Sequence, residues 1–386
     1  MDFRLSEEQT LLKDTVARFV DEEVTPRAAV WDEEETFPSE VFRAMGDLGL
    51  FGITVPEAYG GSGADFLSCL LAMEEISKGD AGLATSWGAH TVLCTESIYR
   101  NGTEAQRRRY LPGLIEGREI GALAITEPEA GSDAMSMRTR AEKQGDHWVL
   151  NGNKMFITNG PLADVVIVYA KTDPEAGPRG ITAFLVEDGF PGFDKGKKLK
   201  KMGARSSPTG ELVFENCIVP EENVLGDVDK GVKVLMSGLD RERIVFSMAP
   251  IGGAQAAFDL AYRYARERVQ FGAPIISFQA MQEILAEIAT EVQAARLLAY
   301  WAATRADQGE NVSQEASYAK LFCSQVAIRA VGKAMEVFGG YGFIREFPIQ
   351  RFYRDLKGIE FGAGTSQIQR MIILRNLLNG AEPFPL

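Results

Sequence analysis

Residues 147–160 read HWVLNGNKMFITNG, and their texture differs from almost everything on either side. Aromatic and β-branched residues alternate with polar ones, and Gly and Asn interrupt the run, which predicts strands rather than a helix. Asn151-Gly152 carries a hairpin signal. Three more short runs of this kind follow: ADVVIVYAKT (163–172), GITAFLVEDG (180–189) and GELVFENCIVP (210–220). Working outward from them, a β unit is expected over residues 121–230.

Upstream, residues 1–120 read as helical. EEQTLLKDTVARFVDEEVTPRAAVWDEE (7–34) and PSEVFRAMGDLGLFGI (38–53) carry apolar residues at i, i+3, i+4 spacing. PEAYGGSGADF (56–66) is a loop: its glycines lack a preceding strand and the dinucleotide-binding spacing. Downstream, residues 231–386 hold four long amphipathic segments, beginning at Gly231, Gly252, Ser277 and Ser313, and so predict a four-helix bundle. The fold class is α+β, mostly α, in the order helical, β, helical.

Bulk properties narrow the function. The chain has 386 residues and a formal net charge of −13, with a pI near 4.9. An acidic surface argues against nucleic acid as a partner. The apolar runs are too short for a membrane span and the first residues do not resemble a signal peptide, so no membrane association and a cytoplasmic location are expected. Cys69, Cys94, Cys217 and Cys323 form no CxxC pair and read as core thiols. His90 and Cys94 are half a metal site at most, so no metal is expected.

GIEFGAGTSQIQR (358–370) ends in a glycine-rich turn followed by a helix start. Thr365 or Ser366 can cap that helix, and Ser366 with Gln369 makes a capping box. Backbone N–H groups of such a turn suit a carbonyl or phosphate, yet the turn has no acid or base. A carboxylate does occur elsewhere in an unusual place. On a helical wheel Glu242 neighbours Leu235, Gly238, Leu239, Val245, Phe246 and Ala249. It reads either as an ion pair with Arg241 or Arg243, or as a general base whose proton affinity is raised by burial. Thr126 and Ser132, in ALAITEPEAGSDAMSM (122–137), offer hydroxyls as a β-turn or a binding loop. RERVQFG (266–272) and EVFGGYGF (336–343) place glycine beside an aromatic residue at helix ends, a C-cap pattern.

Together, ITEPEAGSD, NGNKMFITNG, RERVQFG, FGGYGFIREFPIQRFYRD and GAGTSQIQR, in this order, resemble the acyl-CoA dehydrogenases over essentially the whole chain. The resemblance is strongest to the family branch acting on isovaleryl-CoA. It implies non-covalent FAD, desaturation of an acyl-CoA between Cα and Cβ, an electron-transferring flavoprotein as acceptor, and a homotetramer. Most members carry Glu where this chain has Ala363; the isovaleryl branch takes its base from the helix position matched by Glu242. The resemblance assigns the Ala363 N–H to the thioester carbonyl.

By the same resemblance, Leu123, Ile125, Thr126, Ser132, Phe156 and Thr158 match flavin contacts, Thr158 near N5. Arg268, Phe271 and Gln279 match residues reaching a neighbouring subunit's FAD; Glu336, Gly339 and Gly340 match adenosine-side contacts, and Thr365 and Gln367 match contacts past the turn. Ser132, Asp240, Arg243, Thr85, Ala89, Leu93, Phe246, Gly362, Ala363 and Gly364 match the acyl-CoA site. Phe156 replaces a common Trp and Glu336 a common Gln. Lys233 replaces a Tyr of the isovaleryl branch, and Thr85 and Phe246 replace its Leu residues. Isovaleryl-CoA is the first expectation, with a straight short- or medium-chain acyl-CoA dehydrogenase and then an acyl-CoA oxidase as alternatives.

Overall fold

The computed structural model describes residues 4–383. Seven α-helices come first: α1 (Glu7–Phe19), α2 (Ala28–Glu34), α3 (Ser39–Asp47), α4 (Phe66–Gly79), α5 (Ala81–Gly88), α6 (Glu96–Asn101) and α7 (Glu104–Ile115). Their starts are fixed by side chains that satisfy orphan N–H groups. Ser6 with Gln9 and Thr103 with Gln106 form capping boxes, and Asp65 and Asp80 cap α4 and α5. Between α5 and α6 the chain winds as a π-helix, Ala89–Thr95, a rare form that collects at functional sites.

Eight strands follow: β1 (Gly121–Ala124), β2 (Arg140–Gln144), β3 (His147–Thr158), β4 (Val165–Lys171), β5 (Ile181–Glu187), β6 (Phe193–Lys198), β7 (Thr209–Pro220) and β8 (Val224–Leu225). They form one sheet in the order β6-β7-β3-β2-β4-β5-β8, with β1 parallel to β4. Strand β4 is buried on both faces, which explains its unbroken apolar run. Val165, Ile167 and Tyr169 pack with Cys94, Leu114 and Val234, whereas Val166, Val168 and Ala170 pack with Trp148, Phe184 and Phe214.

The hairpin falls elsewhere than the sequence suggested. Strands β2 and β3 pair through Gln144 and His147, so Gly145-Asp146 makes the turn. Asn151-Gly152 lies inside β3 at a shift of register against β7. There Gly152 has φ 148° and its Cα faces Thr139, which sits 2.5 Å from where a Cβ would be. A glycine needed for close approach gave the same signal as one needed for a turn.

The last part contains α8 (Gly231–Glu267), a short hairpin of β9 (Val269–Gln270) and β10 (Ala273–Pro274), then α9 (Gln279–Asp307), α10 (Ser313–Phe338), α11 (Ile349–Lys357) and α12 (Ser366–Leu378). The segments beginning at Gly231 and Gly252 are one helix of 37 residues, continuous through Pro250. The fourth bundle helix is α12, not a separate piece of α8. Helix α8 is also long and apolar enough by composition to cross a membrane, contrary to the expectation that no run is; 72% of that window is buried inside the protein. Gly272 belongs to the β9–β10 turn with φ 82°, so RERVQFG is a hairpin rather than a helix cap, whereas Gly339 does cap α10 at φ 59°.

Helices α4 and α5 pack against α8 in one hydrophobic core that continues through α9 and α10. The loop of residues 199–208, between β6 and β7, is locked to both helical parts. Ser206 donates to Asp80, the N-cap of α5. Arg351 on α11 reaches Asp80 at 3.1 Å and the Gly79 carbonyl at 3.0 Å. The Ala204 N–H donates to Asp355 at 2.7 Å.

Arg351 and Asp80 are both buried, so removing one strands the other's charge. Arg351→Leu is expected to lose about 3–5 kcal/mol of unfolding free energy, checked by urea denaturation. A loss under about 1 kcal/mol, the level of a surface pair, would show the junction to be dispensable.

Candidate active site

Glu242 lies on the buried side of α8 and is 9% exposed. Neither adjacent arginine neutralises it. Arg241 pairs with Glu96 at 2.6 Å and lies over the Phe66 ring; Arg243 pairs with Asp240 at 2.7 Å. Among the described residues Glu242 makes no ion pair and no hydrogen bond. Burial pushes its carboxyl up to about 7, against the pull of Arg243 and Lys320. The ion-pair reading of Glu242 is therefore set aside.

The turn after α11 is held by its carbonyls. Lys320 of α10 donates to Gly364 O at 2.7 Å and Glu360 O at 3.3 Å. Gln369 donates from Nε2 to Ala363 O at 3.0 Å and Gly364 O at 3.1 Å. Gln369 thus serves the turn and not a capping box with Ser366; the cap is Thr365, whose hydroxyl accepts from the Ile368 N–H. Ala363 has φ 54° and Gly364 φ 84°. With carbonyls turned inward, the Ala363 N–H has no partner among the described residues.

Phe246 of α8 lies against the end of α5, the helix that carries Thr85. Its ring lies 2.7–2.9 Å from where a Cβ on Gly88 would sit, so only glycine fits beneath it. Gly88 stands between Thr85 and Ala89 in the chain; Leu93 lies one turn further and, like Thr85, is partly exposed.

A second group surrounds the end of β3. Phe156 has φ 60° and is 65% exposed, at a bulge where the pairing with β7 shifts. The hydroxyls of Thr126, Ser132 and Thr158 make no hydrogen bond among the described residues. Leu123 is on β1; Ile125 and Thr126 are held by Lys154, which donates to Ile125 O at 3.2 Å, and by the Met155 N–H on Thr126 O at 2.9 Å. Lys154 is fully buried against Glu127 at 2.8 Å. Burial lowers its ammonium to about 8, with Glu127 opposing.

A third group is at the far end of the bundle. Arg268 makes no ion pair among the described residues and lies over the Tyr341 ring. Phe271 is 97% exposed at φ 51°. Gln279 opens α9, and Glu336, Gly339 and Gly340 close α10 with their exposed sides to solvent. Gln367 is exposed on α12. Among the described residues none of these makes a hydrogen bond, ion pair or ring contact with Phe156.

Lys320, Tyr169 and the Lys154–Glu127 pair are the residues that sequence reasoning missed, and Gln369 was given a different role. A helical wheel would have found Lys320, which is flanked by Ala316, Ala319, Cys323 and Ser324, all buried. Lys154 carried a similar signal as a charge at an inward strand position. His90 is no ligand: it is buried against Phe42 and Phe51, accepts from the Gly121 N–H, and sits 2.9 Å from Leu114 O. Among the described residues no metal cluster forms, and the four cysteines are free and buried.

Unpartnered hydroxyls, an unpaired arginine and an exposed aromatic ring suit a large ligand with a planar ring, a polar chain and a diphosphate, and so fit a flavin dinucleotide. A buried carboxylate whose proton affinity is raised by burial suits proton abstraction, and the unpartnered Ala363 N–H suits a carbonyl oxygen. These features define a flavin-dependent oxidoreductase.

Three segments match the Acyl-CoA dehydrogenase N-terminal domain (residues 6–118), middle domain (122–217) and C-terminal domain (229–378). The chain belongs to the acyl-CoA dehydrogenase family and is an FAD-dependent enzyme; FAD complexes occur among the solved structures it resembles. It is 48% identical to the mitochondrial isovaleryl-CoA dehydrogenase of Pongo abelii, over 96% of this chain and 89% of that protein. It superposes on butyryl-CoA dehydrogenase from Megasphaera elsdenii with TM-score 0.96 and 42% identity, covering 98% of this chain and 100% of that one. A chain from a structure described as "Electron transferring flavoprotein of Acidaminococcus fermentans" superposes with TM-score 0.97 and 42% identity, covering 98% and 100%.

The Glu242 carboxyl sits above its ordinary 4.5 at about 7. Folding thus favours its protonated form, and the stability it contributes is present below 4.5 and lost as pH rises through 7. Glu242→Gln should therefore gain on the native chain by a few kcal/mol between pH 5 and pH 8, read from urea midpoints at both. An offset independent of pH would contradict the burial argument.

Proposed function

We propose that the chain desaturates a short branched acyl-CoA, with isovaleryl-CoA as the first substrate, and that Glu242 removes the Cα proton. The observation that carries this reading is a buried carboxylate without an ion-pair partner, in a protein whose carbonyl-binding turn holds no carboxylate. The Ala363 N–H donates to the thioester carbonyl, where negative charge develops as the proton leaves, and its fixed position stabilises that charge. Bound FAD supplies the acceptor for the hydrogen that leaves Cβ as hydride.

Thr126, Ser132, Thr158 and the Phe156 ring hold the flavin, with Leu123 and Ile125 beneath, and Thr365 and Gln367 follow the turn. Arg268, Phe271 and Gln279, with Glu336, Gly339 and Gly340, serve the cofactor of an adjoining subunit in a homotetramer. The exposure of Phe271 supports that assembly. Asp240 and Arg243 bind the CoA portion. Thr85, Ala89, Leu93 and Phe246 shape the acyl pocket, and the absence of bulk at Gly362, Ala363 and Gly364 leaves room for a branch. An electron-transferring flavoprotein is the proposed acceptor.

Phe246 supports a second reading. Its ring across Gly88 occupies space a smaller residue would leave, which favours a chain without the branch methyl, such as butyryl. One methylene in such a pocket is worth about 1–3 kcal/mol, so the two substrates should differ by 10-fold or more in kcat/KM.

The FAD-loaded protein is expected to bleach rapidly when isovaleryl-CoA is added without oxygen, and more slowly with butyryl-CoA. The reverse order would establish the straight-chain reading. Glu242→Gln should keep its yellow colour and lose about 10²–10⁴-fold in the reduction rate; native-rate bleaching would remove Glu242 from the mechanism.

A further inference from the structure

Lys320 is fully buried and pairs with no carboxylate at ion-pair distance among the described residues. Burial of an ammonium without a paired anion is costly, so its position requires an explanation beyond packing. Two contacts are backbone carbonyls of one turn, Gly364 O and Glu360 O. Its charge also acts on Glu242, which lies across the α8–α10 packing.

We propose that Lys320 is a positioning residue that couples the base to the thioester-holding turn: its ammonium fixes the backbone of residues 360–364 and supplies the counter-charge for ionised Glu242. This rests on the assignment of Glu242 as base and the Ala363 N–H as carbonyl donor.

The other charged and titratable neighbours cannot fill that role. On α8, Arg243 pulls on Glu242 more strongly than Lys320 does, but it is paired with Asp240 at 2.7 Å and makes no hydrogen bond to the turn; Arg241 is turned to Glu96 of α6. On β4, the Tyr169 hydroxyl is buried without a partner and its proton is held more tightly, by burial first and then by the Glu242 charge. On α4, Glu74 is satisfied by Arg296 at 2.8 Å. In the short helical segment before the turn, Glu360 is engaged by Lys357. Lys320 alone among these touches the turn backbone and acts on Glu242.

The two tasks reinforce each other. A Lys side chain offers three donors, and two directed at carbonyls oppose any rotation of the turn that would swing the Ala363 N–H away. Burial lowers the Lys320 ammonium to about 8, with Glu242 and Glu360 opposing. When Glu242 takes the Cα proton its charge disappears, and the cation beside it is left without that anion. The developing charge on the thioester oxygen, next to the turn that Lys320 holds, then becomes the anion nearest to the same tether.

The test is stopped-flow flavin reduction at low substrate across pH, on FAD-loaded protein, with Lys320→Met, Lys320→Arg and Glu242→Gln. Lys320→Met should move the midpoint of the rate profile alkaline by about one pH unit, because an opposite charge favours the ionised carboxylate. It should also lower the plateau by 10-fold or more. Lys320→Arg keeps the charge but not the fit, so its midpoint should stay at the native pH while its plateau falls. An unmoved midpoint in a folded, yellow Lys320→Met protein overturns the proposal, since a structural role would lower the plateau alone. Should Lys320→Met fail to fold, Lys320→Arg decides: a displaced midpoint, or an unchanged plateau, overturns the proposal. Glu242→Gln separates the two failures, because a fast Glu242→Gln protein refutes the base itself, whereas a dead one with an unmoved Lys320→Met midpoint refutes only the coupling.

Discussion

Charge taken out of water has to be answered inside the protein, and three of the burials in this fold show different answers. Where the β unit meets both helical parts, Asp80 is matched by Arg351 and the Ser206 hydroxyl. Where the loop after β1 crosses β3, Glu127 accepts from Lys154 and from the N–H groups of Arg138 and Thr139. Burial would raise the Glu127 carboxyl, but these partners win and hold it below its ordinary range. Glu242 is the exception: its cations act on it without closing an ion pair. A paired carboxylate stays ionised and does no proton chemistry; an unpaired one in an apolar patch is kept near the pH at which it can exchange a proton.

Backbone irregularity follows the same division. A residue other than glycine at positive φ costs of order 1–3 kcal/mol, and such residues gather where surroundings over-determine them. Phe156, Phe271 and Ala363 all adopt it. At Ala363 the surroundings are visible, because Lys320 and Gln369 hold the carbonyls on either side of the next peptide. At Phe156 the bulge in β3 follows directly on the Lys154 anchor. The buried cations thus hold the backbone in conformations that local propensity would not choose.

Much of this was legible in the sequence, for reasons that differ by element. The helical, β, helical order shows because periodicity is set by which face is buried, and Glu242 stood out because its whole wheel patch was apolar. What failed were local signals whose cause is tertiary. Asn151-Gly152 looked like a turn because glycine marks close approach as well as reversal. The helices beginning at Gly231 and Gly252 looked separate because Pro250 and two glycines usually stop a helix; Gly252 lies 2.2 Å, at its absent Cβ, from the Glu74 carbonyl of α4. That glycine is there for contact with α4, and packing overrides the propensity to break. Lys320 was missed although its wheel carried the same signal as Glu242, and its carbonyl partners lie about forty residues away in sequence.

The absence of a carboxylate from the turn has a structural consequence as well as a chemical one. A glutamate in that position would bring its own charge to the substrate and would also constrain the turn by what it touched. Alanine brings neither, so the turn's geometry must be imposed from outside, and the structure shows the imposition: two side chains from two helices, α10 and α12, grip the carbonyls of residues 360, 363 and 364. With Glu242 of α8 as the proposed base, two duties that a turn glutamate would combine are separated. On the proposed assignment the helix supplies the proton acceptor, Glu242, which is buried on α8, and the turn is left to present an N–H. With the base assigned to another element, side-chain bulk at position 363 is set free, and Gly362 and Ala363 carry little of it. In the proposed reading, acyl-chain preference and proton abstraction rest on Phe246 and Glu242, four residues apart on α8, so that one helix position could change what is bound while the other kept the chemistry.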